Sequence, residues 1–445
     1  MSAPQPILKS SPVPVLRGRP DEQQPRSKHQ STSTKPPPST TSPNSSPAPR
    51  SLDAFFDRLI RFFSSLRLTV VCLGLAIILV FAGTLAQVEI GLLQAQNEFF
   101  RSFFIYWTPK GASFKIPVFP GGYFLGGLLL INLITAHITR FKWTKKKAGI
   151  WIIHFGLILL LLGQLLTDML ARESALQLSE GETKNFSEDF RTTELVLIDQ
   201  SDPSSDLVHS VSQRLFTHQN EIRDPRLPFA LRLKKFWPNA ALVAPESKAP
   251  MSIPSGATAG QLSSARIIPL PPVSDTDQRN TPAALVEVQN GNQSLGTFLL
   301  STRTAVGEKF VVGDKPYEVA LRFIRYYYPF SLTLLKATHE QYRGTIIPKN
   351  FASRVRVQNP DRNEARETDI YMNNPLRYSG LTFYQYQMSA GEMVEQAGVT
   401  PSSTFQVVRN PSWLTPYLSC VLVALGLLIQ FGSHLLGFVR KRKTV

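Results

Sequence analysis

Four apolar blocks constrain this chain more than any other feature: Leu68–Val88, Gly121–Thr139, Ala148–Ala171 and Pro416–Val439. Each has about the 20 residues that an α-helix needs to cross roughly 30 Å of hydrocarbon. In hydrocarbon the backbone must satisfy its own polar groups, and a helix does so within one segment. A soluble chain of 445 residues would be expected to form two or three domains. Here the expectation is an integral membrane protein with four transmembrane α-helices, three plus one, and a large insertion between the third and fourth.

The basic excess, a net charge of +16, lies largely at the ends of these blocks. That is a topology signal rather than a nucleic-acid footprint, which would need basic residues grouped on one soluble surface. Arg140–Lys147, between the second and third blocks, has five basic residues and no acidic one. Arg440-Lys-Arg-Lys443 follows the fourth. The positive-inside bias puts both segments in the cytoplasm. Both termini then lie there too, and the loop 89–120 and region 172–413 lie on the extracytoplasmic side. The membrane is expected to be the cell's inner (plasma) membrane, with a thylakoid as the other setting.

Residues 1–50 are rich in Pro, Ser and Thr and poor in apolar side chains, the composition of a disordered tail. A Ser-rich, acid-poor leader also fits a transit peptide. Across 51–67, Leu52, Phe55, Phe56, Leu59, Ile60, Phe63 and Leu66 recur at three- and four-residue spacing, predicting an amphipathic helix on the membrane surface. The three-helix region then covers 68–171. In its loop, the aromatic stretch Glu98–Trp107 predicts an interfacial helix.

Region 172–413 is strand-like and predicts a β-rich domain, either a sandwich or a pair of twisted sheets. Ser353-Arg-Val-Arg-Val-Gln alternates polar and apolar residues. Asn290-Gly-Asn-Gln predicts a hairpin turn between Ala284–Val288 and Gly296–Leu300. Pro-rich breaks at 246–281 predict a long loop or a seam between sub-lobes. Residues 414–445 complete the chain as the fourth helix and a basic tail.

The two cysteines, Cys72 and Cys420, both fall in predicted spans, so no disulfide framework, CxxC motif or cysteine-rich zinc site is expected. No catalytic constellation appears either: no Ser-His-Asp order, phosphate loop or paired carboxylates. The histidines are more informative. His154 lies in the apolar run Gly149–Gly163, where an ionisable side chain costs a few kcal/mol or more and needs a reason. Counted from the flanking basic residues at about 1.5 Å per residue, His154 is about 10 Å deep and His434 about 9 Å. Equal depth on different helices would let both imidazoles face one bundle interior. His137, about 4–5 Å from the boundary by the same count, reads as an interfacial residue. The competing reading is that each histidine separately hydrogen-bonds a neighbouring helix.

Zinc would want further ligands, and Asp168, the acidic residue inside a span, is about 20 Å from His154 along the helix. Haem iron needs one or two axial ligands and is otherwise mostly apolar. A proton relay usually needs a chain of carboxylates. The residues thus favour haem, with no metal beyond its iron.

Several segments resemble the ResB/CcsB family of cytochrome c biogenesis proteins, the System II pathway. They are Ser65-Leu-Arg-Leu-Thr-Val-Val71 with Ala82-Gly-Thr-Leu-Ala-Gln87, the span from His154 to Gly163, Pro348-Lys-Asn-Phe-Ala-Ser353, and Asn374-Pro-Leu-Arg-Tyr-Ser-Gly-Leu-Thr-Phe-Tyr-Gln385. The last is the most specific, and 180–310 does not align by eye. The resemblance implies a subunit of a haem export and cytochrome c synthase complex, a non-catalytic or co-catalytic part of a haem lyase. It implies transient b-type haem, with His154 matching an axial ligand of the family's third span. It implies a CcsA/ResC-type membrane subunit and apocytochrome c as partners, with a thiol-reducing protein as a third candidate and no nucleic acid. His434 as the opposing ligand is an inference from depth alone. The tryptophan-rich motif of the CcsA-type partner is missing; Trp107, Trp143, Trp151, Trp237 and Trp413 are scattered. Such a chain is half of a synthase. The alternative class is a membrane-anchored sensor or scaffold whose β domain binds a ligand or protein.

Overall fold

The computed structural model describes residues 51–443, apart from 110, 112–113, 141–143, 145–146, 203, 220, 247–248, 276–277, 305, 346, 392–393 and 395–396. The expected tail 1–50 and most of the basic linker 141–146 lie outside the described residues.

Helix α1 spans Ser51–Phe63 and α2 Leu66–Ile90. The break between them falls at Ser64 and Ser65, where α1 leaves carbonyls that its own backbone does not satisfy. Asn132, 3% exposed on α3 (Gly122–Arg140), supplies a donor. Its Nδ2 donates to the carbonyls of Phe63 (2.6 Å) and Ser65 (3.1 Å), and the Thr69 hydroxyl donates to its Oδ1 at 2.6 Å. A polar residue in a span here serves to hold a bend.

Helix α4 spans Ala148–Leu170 and α5 Thr415–Lys443. Among the described residues, four helices, α2 to α5, are long and apolar enough to cross a membrane, three before the β domain and one after it. Gly149, Gly156 and Gly163, buried and seven residues apart, form a seam on α4 against α5. A Cβ on Gly149 would lie 2.7 Å from both the Gly426 carbonyl oxygen and the Gln430 amide nitrogen. One on Gly156 would lie 2.9 Å from Val423 Cγ2, and Gly163 abuts Thr415. Lipid gives helices no hydrophobic reason to associate, so close backbone approach at small residues supplies the packing.

The expected interfacial helix at Glu98–Trp107 is not formed. Gln96–Phe100 makes one π-helical turn, and β1 (Phe104–Trp107) then pairs antiparallel with β2 (Ile116–Pro120). Aromatic residues suit strands as well as interfaces, and the partner run Ile116–Pro120 decides the outcome. Arg101 Nε to Asp168 Oδ1 (2.8 Å) and the Tyr123 hydroxyl donating to Asp168 Oδ2 tie this hairpin's base to α3 and α4.

The β-rich domain follows. Its first strands are β3 (Arg172–Ser179), β4 (Thr183–Asp202), β5 (Ser205–Ser212), β6 (Glu221–Arg223), β7 (Ala230–Trp237), β8 (Ala240–Val243), β9 (Ile253–Pro254) and β10 (Arg266–Pro269). Next come β11 (Ala283–Asn290), β12 (Gln293–Ser301), β13 (Glu308–Val312), β14 (Lys315–Gln341), β15 (Pro348–Asn359), β16 (Glu364–Tyr371), β17 (Leu376–Tyr378), β18 (Leu381–Ser389) and β19 (Ser402–Arg409). The largest sheet runs β16-β15-β14-β4-β3-β19-β18-β17, with β13 on β14 and β5 on β4. Tyr371 and Asn374 hydrogen-bond across the short turn that joins β16 to β17, the strands at the two ends of this path. The sheet wraps around a core of Leu176, Leu332, Leu334, Val355, Ile370, Phe383 and Phe405. Each such side chain removed from water contributes about 1.5–3 kcal/mol.

The 27-residue β14 joins two lobes. Its later half pairs with β15 over that core. Its earlier half, Tyr317–Phe323, pairs with β4 and covers a second core against the sheet β12-β11-β7-β6. The expected hairpin is present, with β11 and β12 joined through Gly291 at φ 59°. The Pro-rich stretch is not all loop. β9 and β10 add to β8 in a three-stranded sheet over Trp237 and Ile267.

Candidate functional site

The α4–α5 seam continues into the domain. β3 leaves α4 and β19 enters α5, and the two strands pair with Arg172 opposite Arg409. Thr167 and Ser412 share a hydrogen bond of 2.8 Å at the junction. The domain is mounted on the same helix pair that carries His154 and His434.

His154 is half-buried on α4. Its Nδ1 lies 2.7 Å from the Ile150 carbonyl. A carbonyl only accepts, so Nδ1 carries the proton, and in the neutral ring Nε2 keeps the lone pair. Metal-binding histidines are commonly fixed in this way. His137 on α3 faces it, with ring centroids 6.1 Å apart and planes tilted by 34°. Trp151, one turn before His154 on the same face of α4, meets His137 edge-on at 4.0 Å. Among the described residues, the rings of His137, Trp151 and His154 thus meet between α3 and α4.

His434 is not in this cluster. The glycine seam sets the helices' relative level: Gly149 lies beside Gly426 and Gln430, and Gly156 beside Ser419 and Val423. His154 is therefore level with about residue 423, and His434 sits roughly 16 Å further along the axis. The depth match counted from basic residues fails because α4 and α5 do not begin at one plane. α5 extends to Lys443, so its charged end protrudes beyond the start of α4. His434 is exposed, and the Gln430 amide donates to its Nε2 at 2.8 Å.

His137 is the residue that sequence reasoning set aside. Counting residues from Arg140 measured its depth but not its face. The spacing of Trp151 and His154 and the heptad of glycines were readable signals. Among the described residues, no group of three or more His, Cys, Asp or Glu converges on a metal position.

In the domain, two quoted motifs meet. Leu376–Gln385 forms the β17–β18 hairpin, whose turn residues Ser379 (φ 49°) and Gly380 (φ 76°) both take the left-handed conformation that a two-residue turn of this hand requires. Ser353, fully buried on β15, donates to Gln385 Oε1 at 2.7 Å and shares a 2.7 Å hydrogen bond with buried Ser403 of β19. Gln385 and Phe351 also line an open cavity of about 490 Å³ with Met372, Tyr386 and Met388.

Fold and site together define a four-span membrane protein with a β-rich domain inserted before the last span and an imidazole pair between two spans. Residues 286–402, which run from β11 to the start of β19, match the ResB-like family. Protein NrfI of Wolinella succinogenes is 32% identical over 100 residues, which is 22% of this chain and 10% of that protein. The chain thus spans about a tenth of that relative's length. The family match lies wholly within the β-rich domain.

Proposed function

We propose that this chain is a membrane subunit of cytochrome c biogenesis, working with a CcsA/ResC-type subunit to export haem and deliver it for attachment to apocytochrome c. The ResB-like domain supports the pathway. The observation that carries the haem reading is an imidazole in an apolar span, His154, whose Nδ1–H is donated to the Ile150 carbonyl, the tautomer in which Nε2 is the nitrogen that can ligate a metal. Haem is the cargo, and one imidazole with apolar walls suits a porphyrin held in transit. His137 and Trp151 flank the position. His434, exposed and far along the axis, serves in this reading as a contact to the partner's helices rather than as the opposing ligand of His154.

On this reading the basic ends face the cytoplasm and the β-rich domain projects to the other side of an inner membrane, where apocytochrome c is met. The test is the haem content of the full chain co-purified with its partner subunit, read as the pyridine haemochrome. His154→Ala should remove most of it, and His154→Gly should regain it with added imidazole. Unchanged haem content and unchanged cytochrome c maturation in His154→Ala would refute the ligand role and favour a scaffold or sensor.

A further inference from the structure

Where β17, β18 and β19 come down to α5, they enclose an open groove of about 680 Å³. Its lining includes Arg377, Tyr384, Arg409, Asn410, Trp413 and Tyr417. The position is set by the chain itself. β19 ends at Arg409 and α5, a helix apolar enough to span, begins at Thr415. The groove therefore sits at the level where hydrocarbon gives way to water.

Its chemistry is divided accordingly. Trp413 and Tyr417 are 49% and 62% exposed, and their rings meet edge-on at 6.3 Å. Leu414 and Leu418 beside them are also exposed. Such aromatic pairs belong at the headgroup level, one end apolar and one end wet. Above them, the Arg377 guanidinium lies over the Trp413 ring at 5.2 Å. Stacking holds its planar fork in place without using its donors. Arg409 is the second cation. Among the described residues, neither guanidinium is paired with a carboxylate, whereas Arg354, Arg356 and Arg366 on the same sheet all are. Two uncompensated forks over an aromatic ledge at the membrane plane fit a phosphodiester whose acyl chains run down α5.

We propose that this groove binds the headgroup phosphate of an anionic diacyl phospholipid in the leaflet that abuts the β-rich domain. The inference stands apart from the haem reading, since it uses no residue of the histidine cluster. A lipid there would brace the joint between the ResB-like domain and its fourth span.

The test uses the full-length chain in nanodiscs of phosphatidylcholine with a minor fraction of phosphatidylglycerol. Lipids retained on the released protein are counted by native mass spectrometry. The wild type should retain phosphatidylglycerol in preference. Arg377→Gln with Arg409→Gln should lose roughly twenty-five-fold of that preference, about fivefold per guanidinium at a membrane surface. The corresponding double Lys variant should keep most of it, and Lys234→Gln, on β7, should keep all of it. A second measurement needs no charge change: phosphatidylglycerol brominated on its acyl chains should quench wild-type emission more than that of Trp413→Phe. Equal retention by the double Gln variant, or equal quenching in both proteins, overturns the proposal. Displacement by millimolar inorganic phosphate would also overturn it, marking a free-anion site. So would loss of haem without loss of lipid, marking a propionate site.

Discussion

Substituting Gly149 by Ala adds one methyl group where the α4–α5 seam brings backbone against backbone. That methyl would stand 2.7 Å from the Gly426 carbonyl oxygen and from the Gln430 amide nitrogen, about 0.7 Å short of the 3.4 Å where ordinary contact begins. Both obstacles are backbone atoms of a helix, so no rotamer change relieves them. The helices must separate, and the contacts along Gly156 and Gly163 weaken together. Overpacking of this kind costs about 1–3 kcal/mol, and a backbone obstacle puts Gly149→Ala near 2. Gly156→Ala should cost less, about 1 kcal/mol, because its nearest neighbour at 2.9 Å is the far end of the Val423 side chain. Gly74 on α2 is the control. Nothing lies within 4 Å of its added methyl, and Ala is the better helix former by up to about 1 kcal/mol. Thermal unfolding of the isolated full-length chain in detergent, followed by tryptophan emission, should give the order Gly149→Ala below Gly156→Ala below wild type, with Gly74→Ala at or above wild type. A neutral Gly149→Ala, or a Gly74→Ala as damaging as Gly149→Ala, would refute glycine packing as the basis of the joint.

Asn132→Ala should destabilise the same isolated chain by about 1–3 kcal/mol, since the Phe63 carbonyl loses its side-chain donor and the Ser65 carbonyl is left to Thr69; a melt indistinguishable from wild type would show the bend at Ser64 needs no cap. Ser353→Ala should cost about 1–3 kcal/mol and speed exchange of the β15 amides, because half-buried Gln385 and buried Ser403 each lose a partner; unchanged exchange would count against that link. In acid, the Tyr378 hydroxyl and then Arg366 hold Glu364 below the ordinary carboxylate range, and the Lys234 ammonium does the same for Glu287. A depressed folded pKa contributes stability above the unfolded value of 4.5, lost as pH falls through the folded value, so melting temperature should drop below about pH 4.5 and less steeply in Glu364→Gln. In alkali, burial and then the Asp189 hydrogen bond push Tyr326 up to about 12. That contribution is whole below the unfolded value of 10.0 and fades from there towards 12, so Tyr326→Phe should flatten the alkaline fall in melting temperature. Equal slopes in the two proteins would refute it.

The spans were legible because hydrocarbon imposes a length and a composition on each segment by itself. The β11–β12 hairpin was legible because Asn290-Gly is a local turn signal. Glu98–Trp107 misled because its aromatics suit an interface or a strand equally, and the deciding partner Ile116–Pro120 comes later in the chain. The histidines misled in another way. Counting from basic residues gives a depth along one helix, but two helices share a level only after their packing is set.

The sequence alone determined four membrane helices, three plus one, a β-rich insertion, and an imidazole at 154 that an apolar span must account for. Those are properties of single segments, dictated by what lipid and water each tolerate. Only the tertiary structure decided that His154 answers His137 rather than His434, that the end strands β16 and β17 of the large sheet meet over one core, and that Arg377 comes down beside Trp413. Each of these depends on contacts between separate segments. Glycine approach, strand register and ring contact fix them, and those interactions exist only once the segments are packed.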